Sequence, residues 1–212
     1  LVRDIVPSHV TCIHIRQPEA LGLGHAVACA ESVIGDEPFF VVLADDLIDG
    51  HGQYCLSQMV EAHRHHPGSL LAIQRVQPLH TADYGIIDAG HKEKAGSLYP
   101  VRAVMEKPKP EQAPSNLAIV GRYILTPGVL RQLRSIGRGA GGEIQLTDAI
   151  AGVIGQEDVY GFEFKGTRYD CGSKLGYLKA TVAFALQHPE LSEPFARWLD
   201  AGHLPPYCDN SE

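Results

Sequence analysis

Residues 41–50 read VVLADDLIDG, an apolar run that stops at two adjacent aspartates, Asp45 and Asp46. With the two phenylalanines before it the run becomes FFVVLA (39–44), apolar on successive residues, the pattern of a central strand covered on both faces. Strand-like and helix-like segments alternate on either side of it, as in an α/β domain. VTCIHIR (10–16), SLLAIQRV (69–76), YPVRAVMEK (99–107) and LAIVGRYIL (117–125) read as strands. DVYGFEFKG (158–166) sets Tyr160, Phe162 and Phe164 on one face and predicts a half-exposed strand. Helices are predicted at HAVACAESVI (25–34), at 53–65, at 142–155 through Leu146, Ile150, Val153 and Ile154, and at 173–187 through Leu175, Leu178, Val182 and Leu186. These elements predict a three-layer α/β domain, its central sheet mostly parallel but mixed, with helices on both faces. One domain is expected over residues 1–212, with 204–212 as a flexible tail.

Composition narrows the class of function. The chain has 212 residues, 44% hydrophobic and 20% charged, as in an ordinary globular protein. A net charge of -7 without a lysine- or arginine-rich block argues against nucleic acid, whose binding depends on neutralising phosphates. No segment is apolar for long enough to span a membrane and no signal peptide opens the chain, so a cytoplasmic protein is expected. Five scattered cysteines without a CxxC pair read as reduced thiols. The chain opens at Leu1 without an initiator methionine, so it is expected to be part of a longer protein.

Ligands of open α/β sheets collect at the carboxyl ends of strands, where Asp45 and Asp46 sit. Paired hard oxygens there suit Mg²⁺, which is held by one or two carboxylates plus substrate phosphates. A turn or helix N-cap aspartate is an equal reading of this spot alone. Gly22-Leu23-Gly24-His25 would allow close approach of a nucleotide but lacks the full GxGxxG spacing. GRGAGGE (137–143) has no GK[ST] ending and reads as a flexible loop before a helix. AHRHHPG (62–68) reads as a solvated helix terminus rather than a metal site.

Taken together and in order, LGLGHAV, LADD, YGIID, VMEKPKP, APSNLAIVGRY, GGEIQLTDAI and DCGSKLGY resemble the bacterial UTP-glucose-1-phosphate uridylyltransferases, also called UDP-glucose pyrophosphorylases. The resemblance runs from about residue 10 to about 199. It implies a nucleotide-diphospho-sugar transferase fold, Rossmann-like and here N-terminally truncated. It also implies transfer of a uridylyl group from UTP to glucose 1-phosphate, giving UDP-glucose and pyrophosphate, with Mg²⁺ as cofactor. Asp45 is implied as the principal metal ligand and Asp170 as a second, with Asp46 in a supporting role. Gln17 corresponds to the glutamine on the uracil edge and Gly22 to the glycine whose backbone lies against the base. By the same resemblance Gly85 corresponds to a backbone contact to the hexose, Glu106 to the carboxylate that accepts from glucose hydroxyls, and Gly121 to a glycine of the sugar pocket. Lys107 is implied as the ammonium that neutralises the phosphate, with Asp45 implied as part of the catalytic machinery. Glu106 and Lys107 are adjacent, so both reach one ligand only if the strand bends there. Residues 17, 22, 45, 85, 106, 107, 121 and 170 are expected to line one cleft.

The sequence departs from the family in lacking the glycine-rich GxGTRxxP loop and the KEMLP lysine. Negligible transferase activity is therefore expected of this polypeptide by itself. A glucose-1-phosphate thymidylyltransferase shares LxD and EKP and is the first alternative; a non-catalytic sugar-nucleotide-binding module is the second. A homodimer or homotetramer is expected by resemblance.

Overall fold

The computed structural model of the chain describes residues 7–89 and 96–202. The expected tail at 204–212 lies outside the described residues. The chain divides into two compact units, one formed by residues 1–42 and 56–164, the other by 43–55 and 165–212.

The first unit is built on a seven-stranded mixed sheet. In chain order it contains α1 (Leu23–Cys29), α2 (Glu31–Ile34), β1 (Phe39–Val42), most of α3 (Cys55–His65), β3 (Ser69–Arg75) and β4 (Gly85–Asp88). β5 (Leu98–Pro100), β6 (Ala103–Glu106), β7 (Leu117–Leu125), α4 (Pro127–Ser135), α5 (Leu146–Val153) and β8 (Val159–Glu163) follow. The strand order is β5-β8-β3-β7-β4-β6, with β1 added to β7. Its centre is the pair β3 and β7, where Leu70, Leu71, Ile73 and Leu125 are wholly buried. α5 docks because Leu146, Ala149, Ile150 and Val153 recur at i, i+3, i+4 and i+7 and all four are buried. α4 opens with Pro127 at its first turn, where a missing N–H costs nothing, and buries Val129, Leu130 and Leu133.

The α/β class holds, but the expected parallel majority does not. Among the described ladders only β3 with β8 is parallel, while β1–β7, β3–β7, β4–β6, β4–β7 and β5–β8 are antiparallel. The cause is connectivity. Parallel neighbours need a long crossover, usually a helix, and among the described residues from β4 to β7 the one helical element is a short 3-10 turn, Pro110–Gln112. Other expectations shift for related reasons. Residues 10–16 form no strand, and Val10, Ile13 and Ile15 stay exposed. β1 pairs with β7 alone and leaves Phe40 and Val42 exposed, so it is not covered on both faces. β8, expected half exposed, is instead inserted between β3 and β5, and Val159, Gly161 and Phe162 are buried.

The second unit is built on a two-stranded antiparallel ladder, β2 (Asp46–Asp49) with β9 (Thr167–Asp170), in register Asp46↔Asp170. α6 (Lys174–Ala185) follows, capped by Ser173, whose Oγ accepts from Gly176 N at 3.0 Å. Its expected apolar stripe is not a core: Leu175 is 63% and Leu178 59% exposed. α7 (Ser192–Asp200) ends the described chain. No helix among the described residues is long and apolar enough to cross a membrane.

Candidate active site

The loop entering α1 is shaped by its glycines. Gly22 has φ +97°, a conformation that favours glycine, and a Cβ there would stand 2.7 Å from Glu143 Cβ and 3.0 Å from Ile144 O. The loop is tied to the segment before α5 by two backbone hydrogen bonds: Ile144 N donates to Leu21 O at 2.7 Å, and Gly24 N to Ile144 O at 2.9 Å. Gln17 folds back over this loop. Its Nε2 donates to Gly22 O at 3.1 Å and lies 3.0 Å from His25 Nδ1.

A second cluster forms where β4 meets β6. Gly85 and Glu106 are cross-strand partners, and a Cβ on Gly85 would stand 3.3 Å from Glu106 Oε2. That carboxylate oxygen accepts from Thr147 Oγ1 at 2.5 Å, a charge-assisted bond that fixes the carboxylate. β6 ends at Glu106. Lys107 takes φ +43°, rare for a residue with a side chain, and donates its N–H to Tyr84 O at 3.0 Å. The bend that the Glu106-Lys107 pair demanded is therefore present, so the strict alternation of a strand does not extend to Lys107.

The five residues 143–147, EIQLT, touch both clusters. Glu143 and Ile144 pack on the Gly22 loop, and Thr147 holds Glu106, its Cγ2 3.5 Å from where a Gly85 Cβ would be. The residues expected at the base and at the hexose are thus joined by one segment of the chain.

Gly121 lies in β7 where the ladders change. The β4 ladder ends at Ala118 and the β1 ladder begins at Arg122, and the register with β3 slips between Leu71 and Ile73. A strand glycine at such an irregularity marks a place where another group approaches closely.

In the second unit, Asp45 occupies the turn before β2 and is exposed. Its carbonyl accepts from Cys171 N at 2.7 Å. Asp170 Oδ1 accepts from Gly172 N at 3.0 Å. A Cβ on Gly172 would be 3.1 Å from Asp170 Oδ1 and 3.1 Å from Asp45 Oδ2, so both carboxylates overlook the same small residue. The neighbouring Asp46 has a different role: it is 4% exposed and its Oδ1 accepts from Arg168 Nε, while Arg168 Nη2 lies 3.7 Å from Asp170 Oδ2. The structure separates the two aspartates, one open to solvent and one buried in an ion pair.

His25, Thr147 and Arg168 were not singled out from the sequence. Their signals are composite, since each acts on a residue distant in the chain or hidden by a turn. The histidines of 62–68 sit at a helix end as read: His65 lies 3.2 Å from Glu61, and His66 packs its ring edge-on to Tyr160. Two clefts of the first unit, of about 560 and 600 Å³, contain none of the candidate residues. The second is rimmed by the ion pairs Arg131–Asp36 and Arg134–Glu31.

The nucleotidyl transferase family profile matches residues 3–212. A UTP–glucose-1-phosphate uridylyltransferase of Staphylococcus epidermidis is 45% identical over 186 residues, which cover 88% of this chain and 64% of that protein. The enzyme of the same name from Escherichia coli K12 is 43% identical over 204 residues, 94% of this chain and 67% of its own. Among solved structures, a UDP-glucose pyrophosphorylase from Acinetobacter baumannii superposes with a TM-score of 0.83 at 40% identity, over 93% of this chain and 68% of that one. A UDP-glucose pyrophosphorylase complexed with UDP-glucose gives 0.78 at 40% identity, over 82% and 66%. The chain thus spans a little under two thirds of the Staphylococcus relative.

Proposed function

The chain belongs to the nucleotidyl transferase family, and from that premise we propose that its protein is a UTP–glucose-1-phosphate uridylyltransferase. In the proposed reaction the phosphate oxygen of glucose 1-phosphate attacks the α-phosphorus of UTP in line, pyrophosphate leaves, and UDP-glucose forms. Support comes from relatives of that name at 43–45% identity. The observation that carries the reading is segment 143–147, which joins the Gly22 loop to the Glu106 carboxylate, because a nucleotide-sugar enzyme must hold base and hexose in one fixed relation. The thymidylyl alternative has less support: a putative glucose-1-phosphate thymidylyltransferase of Bacillus anthracis shares 20% identity and a TM-score of 0.63, a likeness of fold.

Gln17 and the backbone of Gly22 receive the uracil. The Gly85 backbone and Glu106 receive the glucose, whose hydroxyls donate to the carboxylate, and Gly121 leaves room in the sugar pocket. Lys107 places an ammonium at the phosphate, where it opposes the charge that builds as the bond to pyrophosphate breaks. Asp45 and Asp170 would hold Mg²⁺: their carboxylate oxygens both overlook Gly172, and hard oxygen donors suit that ion. When bound, the ion neutralises phosphate charge. Asp45, exposed while its neighbour Asp46 is taken up by Arg168, is the principal ligand, and Asp46 supports the site from within.

A cytoplasmic location is part of this reading, because UTP and glucose 1-phosphate are cytoplasmic metabolites. The exposed Leu175, Leu178 and Val182 of α6 favour self-association into a homodimer or homotetramer. The test is UDP-glucose formation from UTP and glucose 1-phosphate by the purified intact enzyme to which this chain belongs, since this polypeptide by itself is expected to turn over negligibly. Product must appear with Mg²⁺, vanish with chelator, and form much more slowly from dTTP; equal or faster turnover of dTTP would establish the thymidylyl alternative.

A further inference from the structure

We infer that His25 sets the pyrimidine specificity of the site by holding the Gln17 amide with its oxygen toward the base; this rests on the proposal that Gln17 meets uracil. A glutamine amide has two N–H donors and one acceptor oxygen, and its orientation is fixed by its partners. Here two partners fix it together, the backbone at Gly22 and the ring of His25. Gly22 O is an acceptor only, so the atom 3.1 Å away must be the NH₂ group. The second N–H of that group points to His25 Nδ1 at 3.0 Å. Two donors meeting there would repel, so Nδ1 carries the lone pair and the imidazole proton sits on Nε2, which lies 3.8 Å from Cys29 Sγ, a weak acceptor. Both amide N–H groups are therefore committed within the protein, and Gln17 Oε1 has no hydrogen-bond partner among the described residues.

An outward amide oxygen accepts. Uracil presents a donor at N3–H, whereas cytosine presents a lone pair at N3, and a site built to accept from the first repels the second. Thymine shares N3–H with uracil, so this device discriminates against cytosine and not against thymine. Gly22 O alone would hold one N–H and leave the second uncommitted, free to swing toward the base, where it could donate to cytosine N3. His25 is thus a positioning residue, one turn of α1 past the glycine loop that it polices.

The experiment is calorimetric titration of the folded chain with UDP-glucose, CDP-glucose and dTDP-glucose, for the unsubstituted protein and for His25→Ala, His25→Asn and His25→Gln. The unsubstituted chain should prefer UDP-glucose to CDP-glucose on the order of 100-fold, because a polar site left with mismatched partners rejects an analogue strongly. His25→Ala should cut that ratio about tenfold or more. Asn places Oδ1 where Nδ1 was and should restore most of it; Gln, whose acceptor falls nearer the Nε2 position, should not. dTDP-glucose should track UDP-glucose through the series with respect to this contact. An unchanged ratio in His25→Ala, or restoration by Gln as complete as by Asn, overturns the inference. If His25→Ala fails to fold, the contrast of Asn with Gln decides alone. A failure of the underlying reading shows separately, in the unsubstituted chain: no preference between UDP-glucose and CDP-glucose there removes Gln17 as the base contact, and this inference with it.

Discussion

Replacing either of the adjacent aspartates with asparagine should give opposite phenotypes. Asp46 and Arg168 are 6% and 9% exposed at their side chains and are bonded to each other. Asp46→Asn leaves the guanidinium buried without its nearest countercharge. Breaking a buried pair from one side costs roughly 3–5 kcal/mol. The lower end applies here, because Asp170 at 3.7 Å keeps part of the attraction. A loss of about 3 kcal/mol in a chain of this size corresponds to a melting point lower by about 10 °C. Asp45 is exposed, so Asp45→Asn should move the melting point little, by about 0.5 kcal/mol or less. Its loss should fall on the metal, since an amide oxygen is a far weaker ligand for Mg²⁺ than a carboxylate. Turnover of the intact enzyme should then drop by orders of magnitude, the loss of several kcal/mol of transition-state stabilisation. The assays are thermal melts in chelator, which removes metal linkage, and titration with Mn²⁺ as a paramagnetic substitute. A low-melting Asp45→Asn beside an unchanged Asp46→Asn would refute the division of roles. Arg168→Met together with Asp46→Leu should melt near the unsubstituted protein, because removing both charges removes the penalty.

Thr147→Val keeps the shape and deletes the hydroxyl that holds Glu106. It should weaken UDP-glucose by about tenfold, on the scale of about 1.5 kcal/mol for a bond to a charged group, while UDP binding stays unchanged in parallel titrations. Lys107→Gly should raise thermal stability by up to about 1 kcal/mol, since φ +43° costs a side-chain residue about 1–2 kcal/mol, and it should lower turnover by removing the ammonium. Gly22→Ala should cost about 1–3 kcal/mol in denaturant melts and abolish uridine binding, because its Cβ would press on Glu143 at 2.7 Å and its φ is left-handed.

The motifs made the family legible in the sequence, and the 43–45% identity of its uridylyltransferase relatives bears that resemblance out. The buried strands β3 and β7 were legible too, because unbroken apolar runs leave little alternative to a covered sheet position. Strand direction was not, since pairing depends on connections rather than on the composition of each strand. β2 and β9 escaped notice because four-residue ladders of mixed polarity, DLID and TRYD, carry no period long enough to count. The bend at Lys107 was legible as a requirement of two adjacent candidate residues meant for one ligand, and Pro108 pointed to it. Thr147 was not, because a threonine in the first turn of a helix is ordinary until its partner on β6 is known. The contrast between Asp45 and Asp46 lay beyond the sequence for the same reason: it is made by Arg168, more than a hundred residues away in the chain.

If segment 143–147 couples recognition of uridine to recognition of glucose, backbone amide shifts in a ¹H–¹⁵N spectrum on addition of UDP-glucose will report it. Saturable shifts are expected at Gly22, Gly24, Gly85, Glu106, Lys107 and residues 143–147, with UDP alone moving the Gly22 loop and Ile144 but leaving Gly85 and Glu106 nearly in place. Shifts confined to other surfaces, such as the cleft at Pro100, Glu157 and Tyr160, or no saturable shifts at all, would contradict it.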